Sequence, residues 1–190
     1  MAPPKILVMA GSLRPGSHNA RLAALAAKEL ALAEADVTRI SLADYPLPLF
    51  DADFAAGNLP HHAVQLRRML EAHQGVFITS PEYSASVTPL LKNAIDWVSR
   101  MKDVPFKDKP VAIQSCAGGV LGGARMQYHL RQSLTSIDAH LFGKPEILVT
   151  FAAKKFDEKT LELTDQPTID IVKQQLAGFE KFIRRLNGKT

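Results

Sequence analysis

Along this chain, short apolar runs alternate with segments that carry apolar residues at helical spacing. KILVMA (5–10), DVTRISLAD (36–44), GVFITS (75–80), KPVAIQSC (109–116) and KPEILV (144–149) read as strands. Between them the spacing predicts helices over 19–34, 61–73, 89–100 and about 124–137, with a last helix over 166–186. Pro89 opens the third of these, at a first-turn position that proline favours. Strands separated by helices pair parallel through right-handed crossovers. The chain is therefore expected to be an α/β fold with a five-stranded parallel sheet, in a single domain over 1–190. YPLPLFDADFAAGNLP (45–60), with three prolines, reads as a long loop, and 152–165 as a loop or small hairpin.

In such a sheet, ligands bind beyond the carboxyl ends of the strands, near the point where strand order reverses. Three unusual loops follow strand ends: GSLRPGSHN after the first, PEYSAS after the third and AGGVLGGAR after the fourth. They are expected to converge on one edge of the sheet.

The first loop suits an anion. Its glycines let backbone amides approach a ligand, and the helix that follows offers unpaired N–H groups and a positive dipole end. Ser12, Ser17 and Asn19 add neutral donors, and Arg14 adds a forked cation. The plain alternative is that Ser17 or Asn19 only caps the helix. Leu13 stands where a dinucleotide fingerprint needs its second glycine. Ser17 and His18 stand where a nucleotide-hydrolysing loop needs Lys and Ser or Thr. His18 is expected to face solvent. No G-x-S-x-G elbow of a hydrolase occurs.

In the second loop, Pro81 fixes the backbone, Tyr83 offers a flat aromatic face, and Ser84 and Ser86 add hydroxyls. A planar heteroaromatic ring suits that set; a proline-initiated turn with Tyr83 packed on the body is the alternative. Trp97, on the following helix, reads as core. In the third loop, Gly118, Gly119, Gly122 and Gly123 let backbone come close to a ring or sugar, and Ser115 stands at the strand end. Arg125 opens the next helix, where a cation opposes the helix dipole, so it calls for an anionic partner: Glu82, a ligand phosphate or another subunit. Cys116 reads as a small buried residue rather than a nucleophile.

Composition narrows the partners. A lone cysteine fits a reducing compartment. No apolar run reaches the ~20 residues of a membrane span, and the first residues lack the order of a signal peptide. A cytoplasmic protein is expected, with no membrane partner. The net charge is +4, and the one dense basic segment, KFIRRLNGK, reads as a solvated helix end, so no nucleic-acid partner is expected.

In this order and spacing, GSLRPGSHNARLA, PEYSASVTPLLKNAIDW and SCAGGVLGGARMQYHLR resemble the NADPH-dependent FMN reductases. That flavodoxin-like group includes chromate, quinone and azo reductases. The resemblance runs from about Lys5 to Val149 and implies a flavodoxin-like three-layer sandwich. It implies FMN as cofactor, NADPH or NADH as hydride donor, and a small-molecule electron acceptor such as a quinone, an azo compound, chromate or free flavin. The cycle is then ping-pong, with donor and acceptor using one site in turn. Ser12, Arg14, Ser17 and Asn19 would hold the phosphate. Pro81, Glu82, Tyr83 and Ser84 would line the ring and ribityl chain, and Ser115 and Gly118 would meet the ring's other edge. A homodimer or homotetramer is implied, with the flavin near a subunit interface. No metal site and no catalytic acid–base residue is assigned, because the flavin carries the chemistry. Two departures stand out: Ser84 where the family often has Asn, and Thr88-Pro89 where it usually has Pro-Gly. The competing readings are a non-enzymatic flavodoxin-like electron carrier, against which the basic charge argues, and a flavin-binding regulatory module.

Overall fold

The apolar runs become strands that share one sheet. In the computed structural model, which describes residues 2–55 and 59–188, these are β1 (Lys5–Ala10), β2 (Asp36–Ile40), β3 (Gly75–Ser80) and β4 (Pro110–Cys116). A fifth position is shared by β5 (His140–Leu141) and β6 (Ile147–Val149). Every pairing is parallel, in the order β2-β1-β3-β4-β5, with β6 also on β4. The helices are α1 (His18–Leu32), α2 (Ala52–Ala55), α3 (His61–Ala72), α4 (Pro89–Ser99), α5 (Ala124–Thr135) and α6 (Gln166–Asn187).

The two-residue period of a strand splits the core into two layers. Leu7 and Met9 of β1, with Val76, Ile78, Val111 and Ile113, pack against Leu66 and Leu70 of α3, Trp97 and Val98 of α4, and Leu130 and Leu134 of α5. Ile6 and Val8, with Phe77 and Ala112, face the other way, against Leu22 and Leu30 of α1 and Leu176 and Phe179 of α6. β3 and β4 are buried along their whole length because helices cover both faces there. This is the expected α/β three-layer sandwich. Strand order reverses between β1 and β3, which opens the crevice where such sheets hold ligands.

Two expected strands are shorter than their sequences suggest. The second ends at Ile40, because the Ser41 hydroxyl accepts from the Ala43 amide and turns the chain into a short 3-10 helix. The fifth is broken. His140–Leu141 pairs with Pro110–Val111, then 142–146 bulge out where β4 has only 112–113, and pairing resumes at Ile147 opposite Gln114. Pro145 has no N–H to give the ladder; instead its carbonyl accepts from Gln175 Nε2 of α6 at 2.8 Å. The long loop also differs from expectation, since it contains α2. Its first half is strapped to α4: Asn93 accepts from the Phe50 amide and donates to the Pro48 carbonyl, which also accepts from Trp97 Nε1 at 2.7 Å. Residues 56–58 lie outside the described ones. The segment after β6, expected as a loop or small hairpin over 152–165, forms a 3-10 turn and is closed by a single antiparallel bridge between Phe156 and Leu163.

Candidate functional site

The loops after β1, β3 and β4 lie at the carboxyl edge of the sheet, and hydrogen bonds tie them together. The Gly11 amide donates to Thr79 O at 2.7 Å, and a side chain on Gly11 would collide with Ser80, so β1 ends hard against β3. The Thr88 hydroxyl, buried at the cap of α4, donates to Gly11 O at 2.8 Å and accepts from the Leu91 amide. Thr88-Pro89 therefore caps α4, supplies its first-turn proline and anchors the first loop.

Asn19 makes the longest reach. Its Nδ2 donates to Cys116 O at 2.9 Å, its Oδ1 accepts from Cys116 N at 3.0 Å, and its own carbonyl accepts from the Thr79 hydroxyl at 2.7 Å. The first turn of α1 is thus fixed to the ends of β3 and β4. Ser17 caps it, accepting from the Ala20 amide. Among the described residues the His18 and Asn19 amides have no acceptor. Both residues line the space before them, with the positive end of α1 behind them.

That space is a cavity of about 320 Å³, lined by Ser12, Arg14, Ser17, His18, Asn19, Pro81, Glu82, Tyr83, Cys116, Ala117, Gly118, Ala152 and Ala153. It falls in the size range of small-molecule sites, roughly 300–1,000 Å³. Of the residues expected from the sequence, all but Ser84 and Ser115 line it. Arg14 is exposed and forms no ion pair among the described residues, so its guanidinium is free to meet an anion. Tyr83 is 45% exposed, its ring uncovered rather than packed on the body. Gly118 opens onto empty space, where a side chain would meet nothing.

Three of the expected polar side chains are committed elsewhere. The amide of Asn19 is tied to Cys116 through both Nδ2 and Oδ1. Ser115 is fully buried; its hydroxyl donates to Gly122 O and accepts from Gln127 Nε2, away from the cavity. The Glu82 carboxylate takes the Nε and Nη2 of Arg125 at 2.7 and 2.6 Å, and accepts from the Arg125 and Met126 amides. Gly123 leaves the start of α5 without a side-chain cap, so Glu82 supplies one and answers the cation that Arg125 brings to a positive helix end. Ser84 is not part of the cavity lining: with Ala85 it forms the tip of a tight turn closed by Tyr83 N–H to Ser86 O and Ser86 N–H to Tyr83 O, at 3.1 and 2.9 Å. Both tip residues have positive φ, 47° and 62°.

His18 overturns its sequence reading. It is half-buried, its ring stacked on Phe156 at 4.6 Å between centroids, and it lines the cavity. Burial first, then the nearby Arg14 charge, hold its pKa below the ordinary value. Cys116 is buried as expected, and burial pushes its thiol up to about 12, which removes it as a nucleophile. Ala152 and Ala153 were not foreseen. They follow the end of β6, and the carboxyl-edge rule that singled out the other loops covers this strand too. No described residue of 45–60 lines the cavity. Other grooves, between α1 and α6 and between α4 and α5, lie away from the convergent loops. Among the described residues no cluster of His, Cys, Asp and Glu is placed to hold a metal ion.

The profile of the NADPH-dependent FMN reductases matches residues 4–154, most of the chain and all three loops. The chain belongs to the NADPH-dependent FMN reductase family. A quinone reductase of Escherichia coli K12 is 42% identical over 184 residues, 96% of each chain. An NAD(P)H-dependent FMN reductase of Pseudomonas aeruginosa is 37% identical, across 97% of each. Among solved structures, the flavoenzyme NAD(P)H:(acceptor) oxidoreductase FerB of Paracoccus denitrificans superimposes with a TM-score of 0.83 at 28% identity, covering 96% of this chain and 98% of its own. As an FMN reductase family member the protein is an oxidoreductase that uses FMN as cofactor and NAD(P)H as hydride donor. No described helix is long and apolar enough to cross a membrane.

Proposed function

We propose that the protein is an NAD(P)H:quinone reductase with FMN held between the three loops, working by a ping-pong cycle. The observation that carries this reading is the cavity itself. It joins an uncommitted Arg14 and free helix amides at one side to the open faces of Tyr83 and Gly118 at the other. The donor set fits a flavin mononucleotide: a forked cation, two serine hydroxyls and a helix N-terminus suit a phosphate, and proline, tyrosine and glycine backbone suit a flat ring. When bound, FMN supplies a two-electron carrier between NAD(P)H and the acceptor.

The chain's own residues do the positioning. Arg14, Ser12, Ser17 and the His18 and Asn19 amides hold the phosphate end. Pro81, Glu82, Tyr83 and Gly118 form the walls for the ring, with Glu82 acting through its backbone because its carboxylate caps α5. The Thr79, Thr88 and Asn19 bonds keep these walls in place before any ligand arrives, so little ordering accompanies binding. Three loops build one cavity, so donor and acceptor take turns in it. An open site of this kind also admits azo compounds, chromate or other metal ions, and free flavin as acceptors. The basic net charge favours NADPH over NADH. A homodimer or homotetramer is supported by exposed apolar side chains beside the cavity, Tyr83, Val120, Leu121 and Phe151.

The test is a visible spectrum of the purified protein under argon, before and after NADPH. Bleaching of the flavin bands by NADPH alone, with re-oxidation by a quinone, is the expected result. Flavin bands that persist would mark a carrier or sensor instead. Initial rates should then give parallel double-reciprocal lines for NADPH at several quinone concentrations; intersecting lines would rule out the ping-pong order.

A further inference from the structure

The side of the cavity nearest α1 holds a feature that the phosphate-binding assignment does not use. His18 occupies the first turn of α1, beside Arg14 and next to the Ser17 cap. Its ring rests on Phe156, and neither ring nitrogen has a hydrogen-bond partner among the described residues. An imidazole packed on one face, with free nitrogens, on the wall of an anion site has one obvious use. We propose that His18 is a second, titratable cation for the phosphate, so that a phosphate monoester binds here with uptake of one proton on the imidazole. The inference rests on the FMN reading above and deepens it: cofactor retention becomes sensitive to pH near neutrality.

The charges around His18 make this a conditional cation. Its partial burial, and then Arg14, oppose its protonation in the protein alone, so the ring is held toward its neutral form. The segment that brings Phe156 against it also carries Lys155, which is paired with Asp165, and Asp157, whose carboxylate accepts from the Lys159 and Thr160 amides. Glu82 across the cavity is committed to Arg125 and α5, and the Cys116 thiol stays protonated. Arg14 is the one charge that acts on the His18 ring among the described residues, no carboxylate opposes it, and a bound phosphate dianion is the group that can. Its two negative charges screen Arg14 and raise the imidazole pKa, which is the same linkage as tighter binding when the ring is protonated.

The experiment compares dissociation constants of FMN and of riboflavin, which lacks the phosphate, for wild type and His18→Phe from about pH 5.5 to about pH 8. Phenylalanine keeps a flat ring against Phe156 but cannot carry charge. The phosphate's own titration near pH 6 is common to both proteins and cancels in their ratio. The expected result is that wild type gains about tenfold in FMN affinity over the variant as pH falls across this range, corresponding to roughly one pKa unit. The riboflavin ratio should stay flat. In parallel, the His18 ring protons of wild type, followed by NMR with and without FMN, should report a higher pKa in the complex; this arm stands if the variant does not fold. A flat FMN ratio, an equal change with riboflavin, or an unmoved His18 pKa would overturn the role of His18 while leaving the FMN reading intact. Failure of wild type to bind FMN at any pH would overturn both.

Discussion

At the scale of single residues, the site is decided by which polar atoms are already spent. Asn19 satisfies both the N–H and the C=O of Cys116 inside the protein. Asn19→Ala leaves both buried and unpaired, each at a cost of about 1–3 kcal/mol, so stability should fall by roughly 2–6 kcal/mol. Chemical denaturation of the FMN-free protein measures this directly, and a loss below about 0.5 kcal/mol would show that the amide is not the clamp. Cys116 gives a pH signature. Its folded pKa, about 12, is raised above the ordinary 9.0. The protonated thiol therefore stabilises the fold fully below 9.0, and that contribution is lost as pH rises from there toward 12. Wild type should lose about 1–3 kcal/mol relative to Cys116→Ala between pH 9 and about pH 11. Parallel stability curves for the two proteins across that range would contradict it.

At the scale of elements, the turn at 83–86 gives a physical meaning to the asparagine that the resemblance implies at position 84. Ser84 and Ala85 both sit in the left-handed region, where asparagine and glycine are tolerated and other residues are strained by about 1 kcal/mol each. Asparagine at position 84 therefore suits a backbone demand, and serine meets it less well. Ala85→Gly should stabilise the protein by about 0.5–1 kcal/mol, read as a rise in thermal midpoint; an unchanged or lower midpoint would mean that the turn relaxes in solution. The elements that were legible in the sequence share one property: local signals bound them. β1, β3 and α4 begin and end at Gly11, Gly75 and Pro89, and their predicted limits hold within a residue. The fifth strand was not legible, because its break depends on distant partners: β4 pairs on either side of 142–146, and Gln175 Nε2 donates to the Pro145 carbonyl between them. The convergence of loops followed from parallel pairing, since each of the three loops follows the carboxyl end of a strand. The commitments of Asn19, Ser115 and Glu82, and the stacking of His18 on Phe156, depend on partners far along the chain, and no spacing rule assigns a hydrogen bond between them.

At the scale of the whole molecule, the sheet brings cofactor site and exposed apolar surface to the same edge. Leu121 and Val120, in the third loop, are 46% and 69% exposed, and Phe151 donates its amide to Gly119 O of that loop at 3.3 Å. Tyr83 stands on the cavity wall. Side chains of this kind cost little as isolated surface residues, but grouped beside a ligand site they are a surface that gains from being covered. A second copy covers it in the proposed assembly, which would also shelter the flavin edge from water. Sedimentation equilibrium should therefore return a dimer or tetramer of the 20.8 kDa chain. The paired substitution Val120→Lys with Leu121→Lys should shift it toward smaller species. Because neither side chain belongs to the core, the thermal midpoint of the dilute protein should change little, which separates lost assembly from lost folding. A monomeric wild type at micromolar concentration would leave this apolar edge without a second copy, and the homo-oligomer would have to be given up.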